Sequence, residues 1–171
     1  MNKIAIIGAT ASGKTTLSRK MSKILNIPVY HLDQIGWKDN RVFAAQAEII
    51  EKVDKIIKKP SWIIDGSMPR SKTLEMRIEN ADTIIFYDLP LWFCLWRQTK
   101  RFFKYYNQVR PDMGGNNKQK YPFTWKDIKY AVNYPTKDMY SKLEPHYKNK
   151  KIVIIKSKKD EMNFLKSLQN I

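Results

Sequence analysis

Short apolar runs alternate along the chain with stretches in which apolar residues recur every three or four positions. The runs predict buried strands, and the recurring pattern predicts helices with one apolar face. The predicted strands cover residues 3–7, 28–33, 61–66, 83–89 and 151–155. The predicted helices cover residues 14–25, 44–58, 91–106, 126–134, 135–148 and 159–168. Because strands alternate with helices, we expect an α/β fold with a parallel sheet covered on both faces.

The composition is typical of a single globular domain, which we assign to residues 1–171. The chain is 43% hydrophobic and 28% charged, and its single cysteine excludes an internal disulfide or a cysteine-based zinc site. No apolar stretch reaches the roughly 18 residues of a membrane helix, and the first apolar run is too short for a signal peptide. We therefore expect a cytoplasmic monomer or homodimer with no membrane partner.

The chain is strongly basic, with 32 Lys and Arg against 16 Asp and Glu and a net charge of +16. Such a balance suits nucleic acid, anionic membranes or phosphorylated small molecules, and equally a solvated lysine-rich surface. The seven arginines are more informative, because their planar donor fork recognises phosphate or carboxylate. Five of them fall between residues 70 and 110, namely Arg70, Arg77, Arg97, Arg101 and Arg110.

The most specific motif lies between the first predicted strand and the first predicted helix. Residues 8–15, with the sequence GATASGKT, match the pattern G-x-x-x-x-G-K-[ST]. In this pattern the backbone N–H groups and the helix N-terminus face phosphate oxygens. Lys14 would reach the β- and γ-phosphates, the Thr15 hydroxyl would ligate Mg²⁺ and Thr16 would approach the α-phosphate. We therefore predict ATP and Mg²⁺ as cofactors, bound by Gly8, Ala11, Ser12, Gly13, Lys14, Thr15 and Thr16.

Magnesium also needs a carboxylate near the loop, and two aspartates are candidates. Asp65 follows the apolar residues 62–64, and Asp88 follows the apolar residues 84–87. Either position at the end of a strand could hold the metal with Thr15, and either could equally form a turn. Both aspartates therefore remain candidates for the metal site.

The acceptor side is predicted from residues near the ends of the second and third strands. Asp33, at the carboxyl end of the predicted strand 28–33, would face the crevice and orient an acceptor oxygen or accept its proton; a strand-end cap is the alternative. His31 lies on the same strand face, where a structural role is the more common one. Arg70 and Arg77 are candidate clamps for an anionic acceptor, although Arg77 could also pair with a neighbouring glutamate.

Two further arginines favour phosphoryl transfer. Arg97 and Arg101 stand four residues apart, on one face of the predicted helix 91–106. Like charges at this spacing repel unless an anion lies between them, and a transferring phosphoryl group is such an anion. Residues at about 102–124 carry two adjacent glycines and predict a small lid insertion, with Arg110 reaching the substrate on closure.

Ten of the 21 aromatic residues also fall between residues 89 and 126. Trp92 and Trp96 stand at helical spacing, so we predict that they belong to the core, and that Cys94 is buried with them. Basic residues interleaved with aromatic ones also describe a surface for single-stranded nucleic acid.

Several of these motifs resemble known P-loop proteins. Residues 65–70, with the sequence DGSMPR, resemble the Asp-Gly-Phe-Pro-Arg segment of adenylate kinases with one residue inserted, and Arg97 and Arg101 follow Pro90 much as the lid-base arginines do there. More closely, the order of short motifs resembles the DNA topology modulation protein family, a bacterial branch of P-loop kinases related to adenylate kinase. These motifs are His31-Leu32-Asp33 with Trp37, WIIDG at 62–66, Leu74 with Arg77, Ala81-Asp82, Asp88-Leu89-Pro90, and Arg110-Pro111-Asp112-Met113.

The resemblance implies a P-loop NTPase of the nucleoside-monophosphate-kinase type, with a parallel five-stranded sheet in the order 2-3-1-4-5. It also implies ATP as the donor, while the acceptor of that family is poorly defined. The chain departs from adenylate kinases in the predicted helix 135–148, which offers Lys137, Lys142 and His146 where those kinases place further arginines. This departure argues against adenylate kinase activity itself.

Together these observations predict an ATP-dependent phosphotransferase whose acceptor is a small molecule, with nucleotides among the candidates. Its catalytic residues would be Lys14, Arg97, Arg101 and Asp33, with Arg70, Arg77 and Arg110 on the substrate. The alternative is a nucleotide-switched nucleic-acid-binding regulator that affects DNA topology. Direct nucleic-acid binding is less favoured, because the sequence contains no recognised DNA-binding module.

Overall fold

Five parallel strands form the centre of the molecule, and helices cover both faces of the sheet. The structure is a computed structural model that describes residues 1–109, 114–118 and 125–169. The strands are β1 (Lys3–Gly8), β2 (Val29–His31), β3 (Trp62–Asp65), β4 (Thr83–Tyr87) and β5 (Lys151–Ile155). Their order is β2-β3-β1-β4-β5, and all neighbouring strands are parallel. The predicted α/β class and the strand order 2-3-1-4-5 are confirmed.

The helices form the two outer layers. In the described part of the chain they are α1 (Lys14–Leu25), α2 (Leu32–Gly36), α3 (Gln46–Ile57), α4 (Lys72–Asn80), α5 (Leu91–Lys104), α6 (Trp125–Val132), α7 (Thr136–Leu143) and α8 (Lys158–Gln169). None of these helices is long and apolar enough to cross a membrane.

The alternation of side chains along β1 divides the core into two halves. Ile4 and Ile6 pack with residues of α1 and α8, whereas Ala5 and Ile7 pack with residues of α3, α4 and α7. All four side chains are fully buried. Because both faces of a central parallel strand are covered, such a strand has a continuous apolar sequence rather than an alternating one.

The second strand is shorter than predicted, and this changes the position of Asp33. β2 ends at His31, and α2 begins at Leu32, so Asp33 lies in the first turn of a helix. The Asp33 carbonyl accepts a hydrogen bond from the N–H of Trp37 at 3.1 Å. The prediction that His31 and Asp33 share a strand face is therefore wrong, because the local helical hydrogen bond ends the strand two residues early.

The helix α4 is absent from the sequence-based prediction. It begins after Ser71, whose side-chain oxygen accepts a hydrogen bond from the N–H of Thr73 at 3.3 Å. This cap satisfies one of the N–H groups that a helix start leaves unpaired. Leu74 and Ile78 are buried one turn apart and hold the helix against the sheet. Packing of these two side chains, rather than a long periodic pattern, stabilises a helix of nine residues.

The helix α5 exposes the two tryptophans that the sequence places in the core. Trp92 is 69% exposed and Trp96 is 49% exposed, whereas Cys94 is buried as predicted. The helix turns its Cys94 side toward the protein. Residues two positions before and after Cys94 lie on the opposite side of a helix with 3.6 residues per turn. The core prediction for Trp92 and Trp96 is therefore wrong.

Candidate active site

The glycine-containing loop connects β1 to α1 at the carboxyl edge of the sheet. Gly13 has a φ of 113°, a left-handed conformation that favours glycine, and Lys14 is the first residue of α1. The Gly13 carbonyl accepts hydrogen bonds from the N–H groups of Thr16 at 3.0 Å and Leu17 at 3.1 Å. Ala11 also has a positive φ of 60°. The loop therefore curls back over the start of the helix, as a phosphate cradle requires.

The side chain of Lys14 lies inside this loop. Its ammonium donates to the Ala9 carbonyl at 2.6 Å and to the Ser12 hydroxyl at 3.4 Å, and only 8% of the residue is exposed. Burial lowers the pKa of Lys14 to about 8, and the positive charge of Arg101 acts in the same direction. The carboxylates of Asp65 and Asp33 oppose this lowering of the pKa. Lys14 is thus a buried cation in a loop that an anion would stabilise.

Arg97 brings a second cation to the same loop from α5. Its guanidinium donates to the Ser12 carbonyl at 3.2 Å, across 85 residues of sequence. A Cβ atom at Gly13 would lie 2.9 Å from one guanidinium nitrogen of Arg97, so the guanidinium lies directly against this glycine. The Arg101 guanidinium donates a hydrogen bond to the Gln98 side chain, and its positive charge contributes to the lowered pKa of Lys14. The structure therefore brings Lys14, Arg97 and Arg101 together.

The two candidate metal carboxylates have different surroundings. Asp65 is 3% exposed and accepts hydrogen bonds from the Ser18 hydroxyl at 2.5 Å and from Nδ1 of His31 at 2.9 Å. Its charge also acts on Lys14. Asp88 accepts a hydrogen bond from the Tyr140 hydroxyl of α7 at 2.6 Å. Of the two, Asp65 is the one whose charge reaches the lysine of the loop.

Ser18 is part of this arrangement, although the sequence analysis does not identify it. It is fully buried on α1, one helical turn after Lys14, and its hydroxyl donates to Asp65 at 2.5 Å and lies 3.0 Å from the Thr15 carbonyl oxygen. The spacing of four residues from Lys14 on an otherwise apolar helix face is the signal that points to it.

Asp33 and Arg70 are both exposed. The charge of Asp33 acts on Lys14 and on the hydroxyl of Tyr130, and Arg70 also acts on that hydroxyl. The Arg70 guanidinium donates to the Asn133 carbonyl at 3.4 Å. The structure therefore brings Asp33 and Arg70 to one region, where both charges act on Tyr130.

Tyr130 and Tyr134 add hydroxyl groups to this region that sequence reasoning did not single out. The Tyr130 hydroxyl donates to the Ser67 hydroxyl at 3.4 Å. The Tyr134 hydroxyl is buried without a hydrogen bond, close to Ser67 and to the backbone of Gly8. Burial raises the pKa of both phenols above the ordinary value, so both are neutral hydrogen-bonding groups. They come from α6 and the segment after it, which no motif connects with Ser67.

Arg77 is buried and supports the backbone after β3. Its guanidinium donates to the carbonyls of Thr73 at 3.0 Å, Gly66 at 3.1 Å and Ser67 at 3.3 Å, and none of its surface is exposed. Burial lowers its pKa to about 10, so it stays charged at neutral pH. The structure therefore differs from the sequence-based hypothesis of a clamp on the acceptor. The reason is that its donors meet one carbonyl of its own helix and two carbonyls of the segment after β3.

The segment 114–118 is hydrogen-bonded to residues between Asp33 and Arg41. Asn117 is 5% exposed; its side chain accepts from the Arg41 N–H at 2.7 Å and donates to the Lys38 carbonyl at 2.7 Å. The N–H of Gly114 donates to the Asp33 carbonyl at 3.2 Å, and a Cβ at Gly114 would meet the Trp37 carbonyl at 2.1 Å. We call this segment the Asn117 clasp; it lies against the region that contains Asp33. Arg110 and the rest of the predicted lid at 111–113 and 119–124 lie outside the described residues.

The fold is similar to those of several small-molecule kinases. The shikimate kinase of Acinetobacter baumannii in complex with shikimate has a TM-score of 0.59 at 11% identity, covering 98% of this chain and 90% of that one. A gluconokinase of Sinorhizobium meliloti 1021 has a TM-score of 0.58 at 10% identity, with coverage of 99% and 94%. The shikimate kinase of Bacteroides thetaiotaomicron has a TM-score of 0.53 at 14% identity, with coverage of 98% and 95%.

These similarities cover at least 90% of each kinase and show that the chain has a P-loop kinase fold. No protein-family model and no curated protein sequence matches the chain. At such low identities a shared fold does not define the reaction, which has to be argued from the site.

Proposed function

We propose that this protein is an ATP-dependent phosphotransferase that acts on a small molecule. The observation that carries the proposal is the pairing of Lys14 and Arg97 at the loop. One cation is buried inside it and the other lies against Gly13. Two cations hydrogen-bonded to carbonyl groups of one loop suit a chain of phosphates, because charge neutralisation and positioning supply most of the catalysis in phosphoryl transfer.

On the donor side, the loop residues 8–15 bind the phosphates of ATP. The backbone N–H groups cradle the oxygens, Lys14 pairs with the terminal phosphates, and Thr16 at the start of α1 contacts the α-phosphate. Arg97 and Arg101 stabilise the charge that develops on the transferring phosphoryl group. Their placement beside Lys14 supports these roles.

The proposed magnesium site uses Thr15 and Asp65. Both residues offer oxygen atoms, which Mg²⁺ prefers as ligands. Mg²⁺ needs few protein ligands, because substrate phosphates and water complete its coordination shell. Asp65 fits this role because its charge acts on Lys14, whereas the Asp88 carboxylate accepts a hydrogen bond from Tyr140. When bound, Mg²⁺ neutralises charge on the phosphate oxygens. Ser18 and His31 fix the orientation of the Asp65 carboxylate.

On the acceptor side, Asp33 orients the acceptor hydroxyl and accepts its proton, and Arg70 binds an anionic group of the acceptor. Their exposure leaves both accessible to a small molecule. We also propose that residues 1–171 form one domain, with a lid at about 102–124 whose Arg110 reaches the substrate on closure. The acceptors named for the similar kinases, shikimate among them, support a small hydroxylated molecule, and nucleotides stay in the test panel.

The resemblance to the DNA topology modulation proteins is part of this proposal. It accounts for the motifs at residues 31–37, 62–66 and 110–113, and the P-loop kinase fold supports it. Membership of that family would place the chain beside adenylate kinase in fold, with an acceptor still to be identified.

The deciding experiment measures ADP release from Mg-ATP in the presence of candidate acceptors. The panel contains nucleoside monophosphates, deoxynucleotides and small hydroxylated metabolites with and without a carboxylate. We expect one class of acceptor to raise ADP release above the ATPase background. We expect Lys14→Ala to abolish that increase, by at least about 100-fold, because it removes a preorganised cation from the phosphate site.

Lys20→Ala is the matched control, since Lys20 is an exposed lysine on the same helix. It should retain full activity. If Lys14→Ala retained acceptor-dependent activity, the donor site would be wrongly placed. If no acceptor stimulated the wild type while ATP bound at the loop, the phosphotransferase proposal would fail, and a nucleotide-switched regulator would replace it.

A further inference from the structure

The helix α5 has two chemically different sides. Cys94 and Arg97 face the protein and the phosphate-binding loop. On the other side, Trp92, Trp96, Lys100 and Phe103 follow one another at intervals of four, four and three residues. Residues at these intervals lie along one stripe of a helix. We call these four residues the outer face of α5.

The outer face of α5 presents large aromatic rings to solvent. Trp92 is 69% exposed, Trp96 is 49% exposed and Phe103 is 72% exposed. The Lys100 ammonium lies 3.9 Å from the centroid of the Trp96 ring, which places a cation over an aromatic face. Exposed aromatic rings that form a contiguous patch mark interaction surfaces, because burying them stabilises a complex.

The charge around this patch selects the partner. α5 contains four basic residues and no acidic residue, and the chain carries a net charge of +16. A second copy of the chain would bring Lys100 and its neighbours against the same positive charge, which disfavours self-association through this face. A polyanion would be attracted instead. Nucleic acid is the polyanion that also offers flat rings for the tryptophans.

The spacing of the rings distinguishes single-stranded from double-stranded nucleic acid. Trp92 and Trp96 are separated by about 6 Å along the helix axis, given a rise of about 1.5 Å per residue. Bases stacked in a duplex are separated by about 3.4 Å and show no free face. The bases of a flexible single strand can separate and stack on aromatic side chains one by one.

We infer that the outer face of α5 binds single-stranded nucleic acid. Bases stack on Trp92, Trp96 and Phe103, and Lys100 contacts the phosphate backbone. The inference does not depend on the proposed phosphotransferase activity, because it uses none of the residues assigned to that activity. Binding and phosphoryl transfer can therefore be measured separately.

The test uses the full chain and a fluorescein-labelled deoxythymidine 20-mer in a fluorescence anisotropy titration. We expect Trp92→Ala combined with Trp96→Ala to weaken binding about 100-fold, because each stacked base contributes roughly a factor of ten. We expect Lys100→Gln to lower the slope of log affinity against log salt by about 0.7, as for one lost contact to a single strand. Acceptor-dependent turnover should be retained in all of these variants.

Two exposed residues elsewhere serve as controls. Tyr147→Ala removes an aromatic ring that is 47% exposed, and Lys20→Gln removes an exposed lysine of α1. Both should bind the 20-mer like the wild type. Circular dichroism checks that the tryptophan variant keeps its fold, as expected for exposed side chains.

Several results would overturn the inference. The wild type failing to bind the 20-mer is one, and an unchanged affinity in the double tryptophan variant is another. Binding to phosphatidylserine vesicles that needs both tryptophans, with no binding of the 20-mer, would assign the face to a membrane surface. A dimer in analytical ultracentrifugation that the double variant abolishes, again with no binding of the 20-mer, would assign it to a second copy.

Discussion

The two sides of the candidate site are held together in different ways. The loop at residues 8–15 is fixed mainly by bonds within a few residues, such as the one from Lys14 to the Ala9 carbonyl. The acceptor side is fixed by bonds between distant segments, such as the contact of Asn117 with Lys38 across 79 residues. Changes in the loop should therefore alter chemistry, whereas changes in the acceptor side should alter stability and acceptor binding.

Two arginines, the half-buried Arg97 and the fully buried Arg77, differ in the groups that their guanidinium donors meet. The Arg97 guanidinium lies against the phosphate-binding loop and is half-buried, so a phosphate can still approach it. The Arg77 guanidinium is fully buried and donates hydrogen bonds to three backbone carbonyls. Arginine therefore supports backbone structure at position 77, whereas at position 97 it is placed for the phosphoryl-transfer role that we propose.

The largest expected effect is on the loop side. Arg97→Ala should lower kcat about 100-fold or more, because it removes a donor aimed at the phosphoryl group, and should change ATP affinity by only about threefold. Steady-state kinetics together with equilibrium ATP binding measures the two effects.

Arg97→Lys and Arg19→Ala are the controls for this variant. Arg97→Lys keeps the charge and loses the planar fork, so it should recover part of the rate. Arg19 is exposed on α1 and its loss should have no effect. A loss confined to ATP affinity would contradict a role in the transition state.

Near the proposed acceptor side, Arg77→Met should destabilise the protein by about 3 kcal/mol, because the carbonyls of Gly66 and Ser67 lose the guanidinium that donates to them. Arg70→Ala should leave stability within about 0.5 kcal/mol and raise the KM for the acceptor about tenfold. Urea unfolding and acceptor kinetics on both variants provide the comparison. A stable Arg77→Met variant with a raised acceptor KM would return Arg77 to the role of a clamp.

Lys14→Met should stabilise the protein without nucleotide by about 1–3 kcal/mol at pH 7, because it removes a buried cation whose pKa is lowered to about 8. In the wild type, the unfolded chain binds more protons on Lys14 than the folded chain between pH 8 and about 10.5. Its free energy of unfolding should therefore rise with pH in this window. The difference between wild type and variant, measured by urea unfolding from pH 6 to 10.5, isolates this contribution.

The stabilisation should disappear when Mg-ATP is added, because the nucleotide stabilises only the chain that has the lysine. A variant less stable than the wild type at pH 7 would mean that the contacts of Lys14 with Ala9 and Ser12 outweigh its burial.

The smallest expected effect is on the Asn117 clasp. Asn117→Ala should destabilise the protein by about 1–2 kcal/mol and raise the acceptor KM about threefold, because the Arg41 N–H and the Lys38 carbonyl lose their partner. Asn116→Ala is the matched control: the exposed Asn116 contributes its backbone N–H to Asp39 rather than its side chain. Equal effects of the two variants would show that the side chain of Asn117 does not hold the segment.

Much of the fold and the loop side can be predicted from short contiguous sequences. The run at residues 3–7 predicts β1 because a strand covered on both faces has to be apolar throughout. The loop at 8–15 is recognisable because its glycine, lysine and threonine positions depend on one local backbone path. By contrast, α4 depends on a cap at Ser71 and on two buried side chains, and β2 ends early because α2 begins at Leu32.

The sequence alone determines the sheet, its strand order through the family resemblance, and the phosphate-binding loop with Lys14. Only the tertiary structure shows that Arg97 reaches that loop and that Arg77 is buried. The two arginines differ in the distant segments that their side chains contact, and the residues next to them in sequence do not reveal this difference. It also decides that Trp92 and Trp96 face solvent, since a helical stripe does not say on which side the protein lies. Local backbone geometry is encoded in neighbouring residues, whereas burial depends on residues that are distant in sequence.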